Sequence, residues 1–153
     1  MLVGGIDVGK RGGIAFIDVR SMVAEVFSMP ENFEGVIEIF LERKDRVVLV
    51  GIEKQQAFPK QGVVSMFTLG CEYGKFIGMF KALKIPFEEI LPRSWQKSLG
   101  LSCKRNKRNR KELKEASIEK ARNLFPYLDI GKHDGKADAL LIAEYVRRFL
   151  LHA

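Results

Sequence analysis

Two cysteines, two histidines and one tryptophan among 153 residues exclude several kinds of chemistry at once. Cys71 and Cys103 are too few for a disulfide framework or a cysteine-rich zinc site, so a reducing, intracellular setting is expected, with cytoplasm, nucleoid, organelle and virus-infected cell all left open. No apolar run reads as a membrane span. The most apolar long stretch, from Val63 to Leu83, is broken by Glu72, Lys75 and Lys81. Asp7 interrupts the first apolar run, so no secretory leader is expected and no membrane partner either. Repeats, low-complexity tracts and Pro/Gly/Ser-rich linkers are absent from the sequence, which predicts one domain over 1–153. Disorder is excluded by 46% hydrophobic and 10% aromatic content.

What the chain does have is a localised positive charge. Lys104, Arg105, Lys107, Arg108, Arg110 and Lys111 lie within eight residues and account for most of the net charge of +7. A nearly neutral domain with one basic segment suits a polyanion, and nucleic acid is the commonest. The ordinary alternative is a solvated loop before a helix.

The element pattern predicts a mixed sheet. Strands are expected at 2–8, 14–19 and 23–27, an antiparallel meander punctuated by the glycine-rich turn 9–13. A helix over 34–43 follows from the period of Val36, Ile37, Phe40 and Leu41. The continuous β-rich run Val47 to Ile52 suits a strand covered on both faces. Next come a long helix over 62–83, a strand over 87–91, a short helical piece from Pro92, an amphipathic helix over 108–124 that stops before Pro126, and a last helix over 134–150. Three antiparallel strands first, then alternation of helix and strand, predicts an α/β fold: a five-stranded mixed sheet with helices on both faces.

Four acids stand out by position. Asp7 lies in the first strand, on a face shared with Val3 and Gly5, where a charge needs a partner. Glu53 directly follows the buried strand, at the end where α/β sheets carry their sites. Asp134 and Asp138 are four apart, on one face of the last helix. Gathered carboxylates repel one another and offer only oxygen, which favours a hard cation such as Mg²⁺ or Mn²⁺. Two such ions can drive phosphodiester hydrolysis, with nucleic acid as substrate rather than a small molecule. The bland alternatives stand beside this: Asp7 bonding the glycine turn, Asp134 as a helix cap, Asp138 as a first-turn acid, Glu53 paired with Lys54 or Lys60.

At these residues the sequence resembles a known family. Gly5-Ile6-Asp7-Val8-Gly9 with Gly12-Gly13-Ile14-Ala15, then Gly51-Ile52-Glu53, then Lys132-His133-Asp134-Gly135-Lys136-Ala137-Asp138-Ala139-Leu140-Leu141-Ile142-Ala143 are similar to RuvC-type Holliday junction resolvases of the RNase H-like (retroviral integrase) superfamily. The middle segment, Phe58-Pro59-Lys60-Gln61-Gly62 and Ile90-Leu91-Pro92-Arg93-Ser94-Trp95-Gln96-Lys97, most resembles the chloroplast-type and phage-type branches. The resemblance implies an RNase H-like fold, two Mg²⁺ per site with Mn²⁺ as substitute, and Asp7, Glu53 and Asp138 as ligands. Bacterial members place a fourth ligand three residues before the last acid, which here is Gly135. The chloroplast-type slot, four before, is Asp134, with His133 as the alternative. The resemblance also implies a homodimer that makes two symmetric nicks in a four-way DNA junction, leaving 5′-phosphate and 3′-hydroxyl ends.

The long helix carries Gly70, Gly74 and Gly78, each costing about 1 kcal/mol against Ala, which close helix approach would offset. Its remaining surface is apolar nearly all round, so one face is expected on the sheet and the other against a second subunit, the alternative being burial wholly within one chain. For DNA, the segment Lys104 to Lys111 would hold phosphates. Lys10, Arg11 and Lys60 could meet the backbone. Lys97 sits in a motif similar to one whose lysine approaches the reacting strand. Phe58 reads equally as a wedge at the junction centre or as a loop anchor under the long helix. Two rivals remain: an RNase H-like nuclease for RNA or RNA–DNA hybrid, as in ribosomal RNA processing, and a non-catalytic nucleic-acid-binding module.

Overall fold

A glycine-rich N-terminal strand lies at the centre of the computed structural model, which describes residues 1–101 and 110–151. Strand β1 (Leu2–Asp7) pairs antiparallel with β2 (Gly13–Asp18), and β2 pairs antiparallel with β3 (Ala24–Ser28). Helix α1 (Phe33–Leu41) then crosses to β4 (Val47–Glu53), which lies parallel to β1. Helix α2 (Val63–Leu83) leads to β5 (Phe87–Ile90), parallel to β4. The sheet order is β3-β2-β1-β4-β5. Helices α3 (Pro92–Ser98), α4 (Arg110–Leu124) and α5 (Asp134–Tyr145) follow β5 in chain order.

Two cores, one on each face, explain the pattern of the strands. Phe16, Val50 and Ile52 pack with Phe40 of α1 and with Phe76 and Phe80 of α2. Val3, Ala15 and Ile17 pack on the opposite face with Trp95 of α3, Ala121 of α4 and Leu140 to Ala143 of α5. A strand covered on both sides has no polar face to expose, which is why β1 and β4 read as continuous apolar runs. Among the described residues, no helix is long and apolar enough to cross a membrane.

One detail departs from the sequence reading. The sequence predicts a last helix running to residue 150, but the α-helix ends at Tyr145 and Val146–Leu150 form a π-helical turn. Buried Glu144 sits at this junction and receives Arg147 at 2.8 Å and Arg148 at 2.5 Å. In α2 the structure opposes the alternative reading, burial wholly within one chain. Phe76, Met79 and Phe80 are buried in its C-terminal half, but Val63, Val64 and Phe67 are 78%, 79% and 73% exposed. A Cβ added at Gly70, Gly74 or Gly78 would meet nothing within 4 Å. Burial wholly within one chain is therefore not what this helix does, and among the described residues no helix of the same chain approaches its glycines.

Candidate active site

The carboxylates meet because α5 lies almost backbone-to-backbone on the central strands. A Cβ at Gly5 would come within 2.2 Å of the Ala139 carbonyl oxygen, and one at Gly135 within 2.0 Å of the Arg11 carbonyl oxygen. Only glycine permits that approach. It brings the first turns of α5, with Asp134 and Asp138, over the C-terminal end of β1, where Asp7 ends the face begun by Val3 and Gly5. Parallel pairing of β1 with β4, Ile6 opposite Ile52, sets Glu53 beside Asp7 at the same edge of the sheet.

The electrostatics record this meeting. Burial pushes the Asp7 carboxyl well above its ordinary value, and the charges of Asp138, Glu53 and Asp134 push it further. Asp138 is raised to about 7 by burial first and then by Asp134, opposed in part by the Ser117 hydroxyl and by Lys114. Burial raises Glu53 as well, and the Trp95 indole N–H, donating to its Oε2 at 2.6 Å, counters the shift. Lys114 Nζ stands 3.9 Å from Asp134 Oδ1. These are the signatures of anions held together at a cost, and such clusters mark functional sites.

Among the described residues, no three His, Cys, Asp or Glu side chains are gathered tightly enough to hold one ion. Asp134 is near enough to Asp7, Glu53 and Asp138 to raise their proton affinity, yet the acids stand apart, as like charges do. Their chemistry nonetheless fits a hard divalent cation. All donors are oxygen, and Asp138 Oδ1 is buried with no hydrogen-bond partner, an acceptor left open in a site that penalises open acceptors.

The other expected residues divide by position. Lys10 and Arg11 are exposed in the β1–β2 turn that follows Asp7. His133 caps α5 without a side-chain hydrogen bond and lines a cleft with Lys10 and Arg11. Phe58 is 54% exposed, so it is not an anchor buried beneath α2. Its amide N–H donates to Gln61 Oε1 and its carbonyl accepts from the Gln61 amide, forming a tight turn in which Lys60 adopts a left-handed φ of 79°. Lys97 is exposed in the last turn of α3, and Arg110 is exposed at the start of α4. Lys104, Arg105, Lys107 and Arg108 lie outside the described residues.

Three residues escape a reading of the sequence. Trp95 is fully buried in the core, and its indole nitrogen also holds Glu53. Buried tryptophan normally finds a hydrogen-bond partner, so that signal is present in the sequence. Lys114 and Ser117 reach the acids from α4, three apart and hence on one face. Nothing local marks them, since only the packing of α4 on α5 places them there.

No family model matches the sequence, and no curated protein does. Solved structures are similar. A structure of RuvC from Thermus thermophilus matches over 96% of this chain and 96% of its own, with 20% identity and a TM-score of 0.63. T. thermophilus RuvC in complex with Holliday junction substrate matches over 97% of this chain and 96% of its own, with 19% identity and a TM-score of 0.64. The chain has their RNase H-like fold.

Proposed function

We propose that this chain is a Holliday junction resolvase: a structure-selective endonuclease that makes symmetric nicks in four-way DNA junctions by metal-dependent hydrolysis of phosphodiester bonds. The reading rests above all on the meeting of Asp7, Glu53, Asp134 and Asp138 at one sheet edge, with an open acceptor on Asp138. It is supported by the likeness of the fold to RuvC, which has been seen in complex with Holliday junction substrate. We take 1–153 to act as one nuclease domain.

In this reading Asp7, Glu53, Asp134 and Asp138 hold Mg²⁺, two ions per site, with Mn²⁺ as substitute. When bound, the ions supply Lewis-acid stabilisation of the charge that builds up during hydrolysis. The chain's own groups prepare the site. Trp95 orients Glu53, and Lys114 and Ser117 favour the charged form of Asp138. Asp134 is preferred to His133 as fourth ligand, because Asp134 acts on Asp7, Glu53 and Asp138 while His133 lines the neighbouring basic cleft.

Substrate contacts follow from charge and, for the described residues, from exposure. Lys10, Arg11, Lys60, Lys97 and Arg110, together with Lys104, Arg105, Lys107 and Arg108, hold phosphates. Exposed Phe58 wedges against bases at the junction centre. Two copies pair through α2, whose exposed Val63, Val64 and Phe67 and open glycine stripe leave a large apolar face uncovered. A twofold enzyme then matches a twofold substrate.

The test is incubation with a labelled synthetic four-way junction, a matched linear duplex and an RNA–DNA hybrid, with Mg²⁺ and then with EDTA. Paired nicks in opposed strands of the junction alone, dependent on Mg²⁺, are expected. Cleavage of the hybrid but not the junction overturns the resolvase reading, and cleavage of nothing overturns the nuclease.

A further inference from the structure

Beside the carboxylates, towards the β3 edge of the sheet, a cleft of about 240 Å³ opens between the β1–β2 turn, the end of β3 and the loop that leads into α5. Lys10, Arg11, Lys132, His133 and Lys136 line it, and among the described residues no acid does. Lys10, Arg11 and Lys132 are exposed. Lys136 is half-buried with Nζ 3.3 Å from the carbonyl oxygen of Asp129, a neutral partner that leaves its charge uncancelled. The Asp129 carboxylate accepts instead from the Gly131 amide at 3.1 Å. Four basic side chains around one small hollow repel each other, and an anion would relieve them.

The hollow is tied rigidly to the catalytic edge. A Cβ at Gly12 would lie 1.9 Å from the carbonyl oxygen of Asp7, and the Arg11 carbonyl lies against Gly135 of α5. The cleft wall and the Asp7 backbone are therefore parts of one packed turn. Its volume falls below the ~300–1,000 Å³ of small-molecule sites, so it suits a phosphate group rather than a whole nucleotide.

We propose that this cleft is a phosphate subsite. It takes a non-reacting phosphodiester of the same strand that is cut at Asp7, on the side of the scissile bond towards β3, with Lys132 and Lys136 as its principal ligands. Holding that neighbour fixes which phosphate lies over the carboxylates, so the cleft sets the register of the cut. The proposal rests on the nuclease reading above.

The experiment uses the full chain and junctions bearing a single neutral methylphosphonate, moved one position at a time along the cut strand. Binding is measured in EDTA and nicking in Mg²⁺, for the wild type, for Lys132→Gln with Lys136→Gln, and for Lys132→Arg with Lys136→Arg. At one position near the cut, the neutral linkage weakens wild-type binding roughly tenfold, as expected when a charged hydrogen bond is removed. The glutamine variant binds the unmodified junction weaker by a similar factor, is blind to the methylphosphonate at that position, loses about 0.9 from its salt slope and cuts at scattered positions. The arginine variant restores both affinity and register. A glutamine variant as sensitive as wild type at every position overturns the subsite, and so does an arginine variant as impaired as the glutamine one. Failure of the nuclease reading looks different: the wild type binds in EDTA but never nicks, while the methylphosphonate pattern still reports on the cleft. A wild type that binds no junction overturns both.

Discussion

The Trp95 indole nitrogen donates to Oε2 of Glu53 at 2.6 Å, from a side chain with no exposed surface. The sheet brings Glu53 to the edge, and the helix after β5 aims its carboxylate. A hydrogen bond to a charged group is worth about 1.5–3 kcal/mol, enough to fix one carboxylate orientation against the repulsion of three others.

Trp95→Phe keeps most of the core volume and removes the donor. It should raise the Mg²⁺ concentration for half-maximal nicking about tenfold, a change of ~1.4 kcal/mol, and weaken Mg²⁺ binding by titration calorimetry to match. Junction binding in EDTA should stay unchanged. An unaltered Mg²⁺ affinity would show that Trp95 serves packing alone.

Asp7→Asn removes a ligand charge and little volume. Nicking should fall by more than the ~10–100-fold that outer partners of a metal site command, while the gel-shift affinity for the junction is kept. Without metal, the variant should melt higher than wild type, because it removes a carboxylate penalised first by burial and then by three acidic neighbours.

Asp138 has a folded pKa of about 7 against an ordinary value of 3.8. The folded state therefore binds the proton more tightly than the unfolded chain, and stability must fall as pH rises between these two values. In the metal-free protein the Asp138 share of the loss in melting temperature should run from about pH 4 to about pH 7, with Asp7 and Glu53, also raised, adding to the decline. Mg²⁺ should flatten the decline by favouring the charged form. Asp138→Asn should remove a large share of the slope, read by thermal melts across that range in EDTA.

Much of this is legible in the sequence because it is written in periodicity and in glycine. The run 2–8 reads as a strand and the run 47–52 as one covered on both faces, and Asp7 and Glu53 at their ends share an edge because the two strands pair in parallel. The four-residue spacing of Asp134 and Asp138 places them on one face. What stays hidden depends on approaches between elements remote in sequence: Trp95 is 42 residues from Glu53, and Ser117 approaches Asp138 only because α4 packs on α5. The π-helical end of the last helix is equally hidden. It accompanies a buried Glu144 that takes two arginines, and an amphipathic pattern does not announce such pairing.

Neutralising Lys104, Arg105, Lys107 and Arg108 together should weaken junction binding and flatten its salt dependence, with the slope falling by about 0.9 for each phosphate no longer held. Nicking at saturating enzyme should change far less than binding, since these residues are assigned affinity rather than chemistry. A salt slope equal to wild type would remove them from the DNA interface.

The glycines of α2 allow a test in which monomer and dimer respond with opposite signs. A methyl group at Gly74 meets nothing within 4 Å in this chain, so Gly74→Ala should stabilise the isolated fold by up to about 1 kcal/mol through helix propensity alone. If α2 packs on its twin along the glycine stripe, the same methyl must hold the two helices apart. Sedimentation should then show a weaker dimer while denaturant unfolding at low concentration shows a tougher monomer. Phe67→Asp, at a position 73% exposed in the single chain, should give monomers that melt as wild type does when dilute but no longer nick the two strands of a junction together. Gly74→Ala that strengthens the fold and leaves the association constant untouched would place the dimer interface elsewhere.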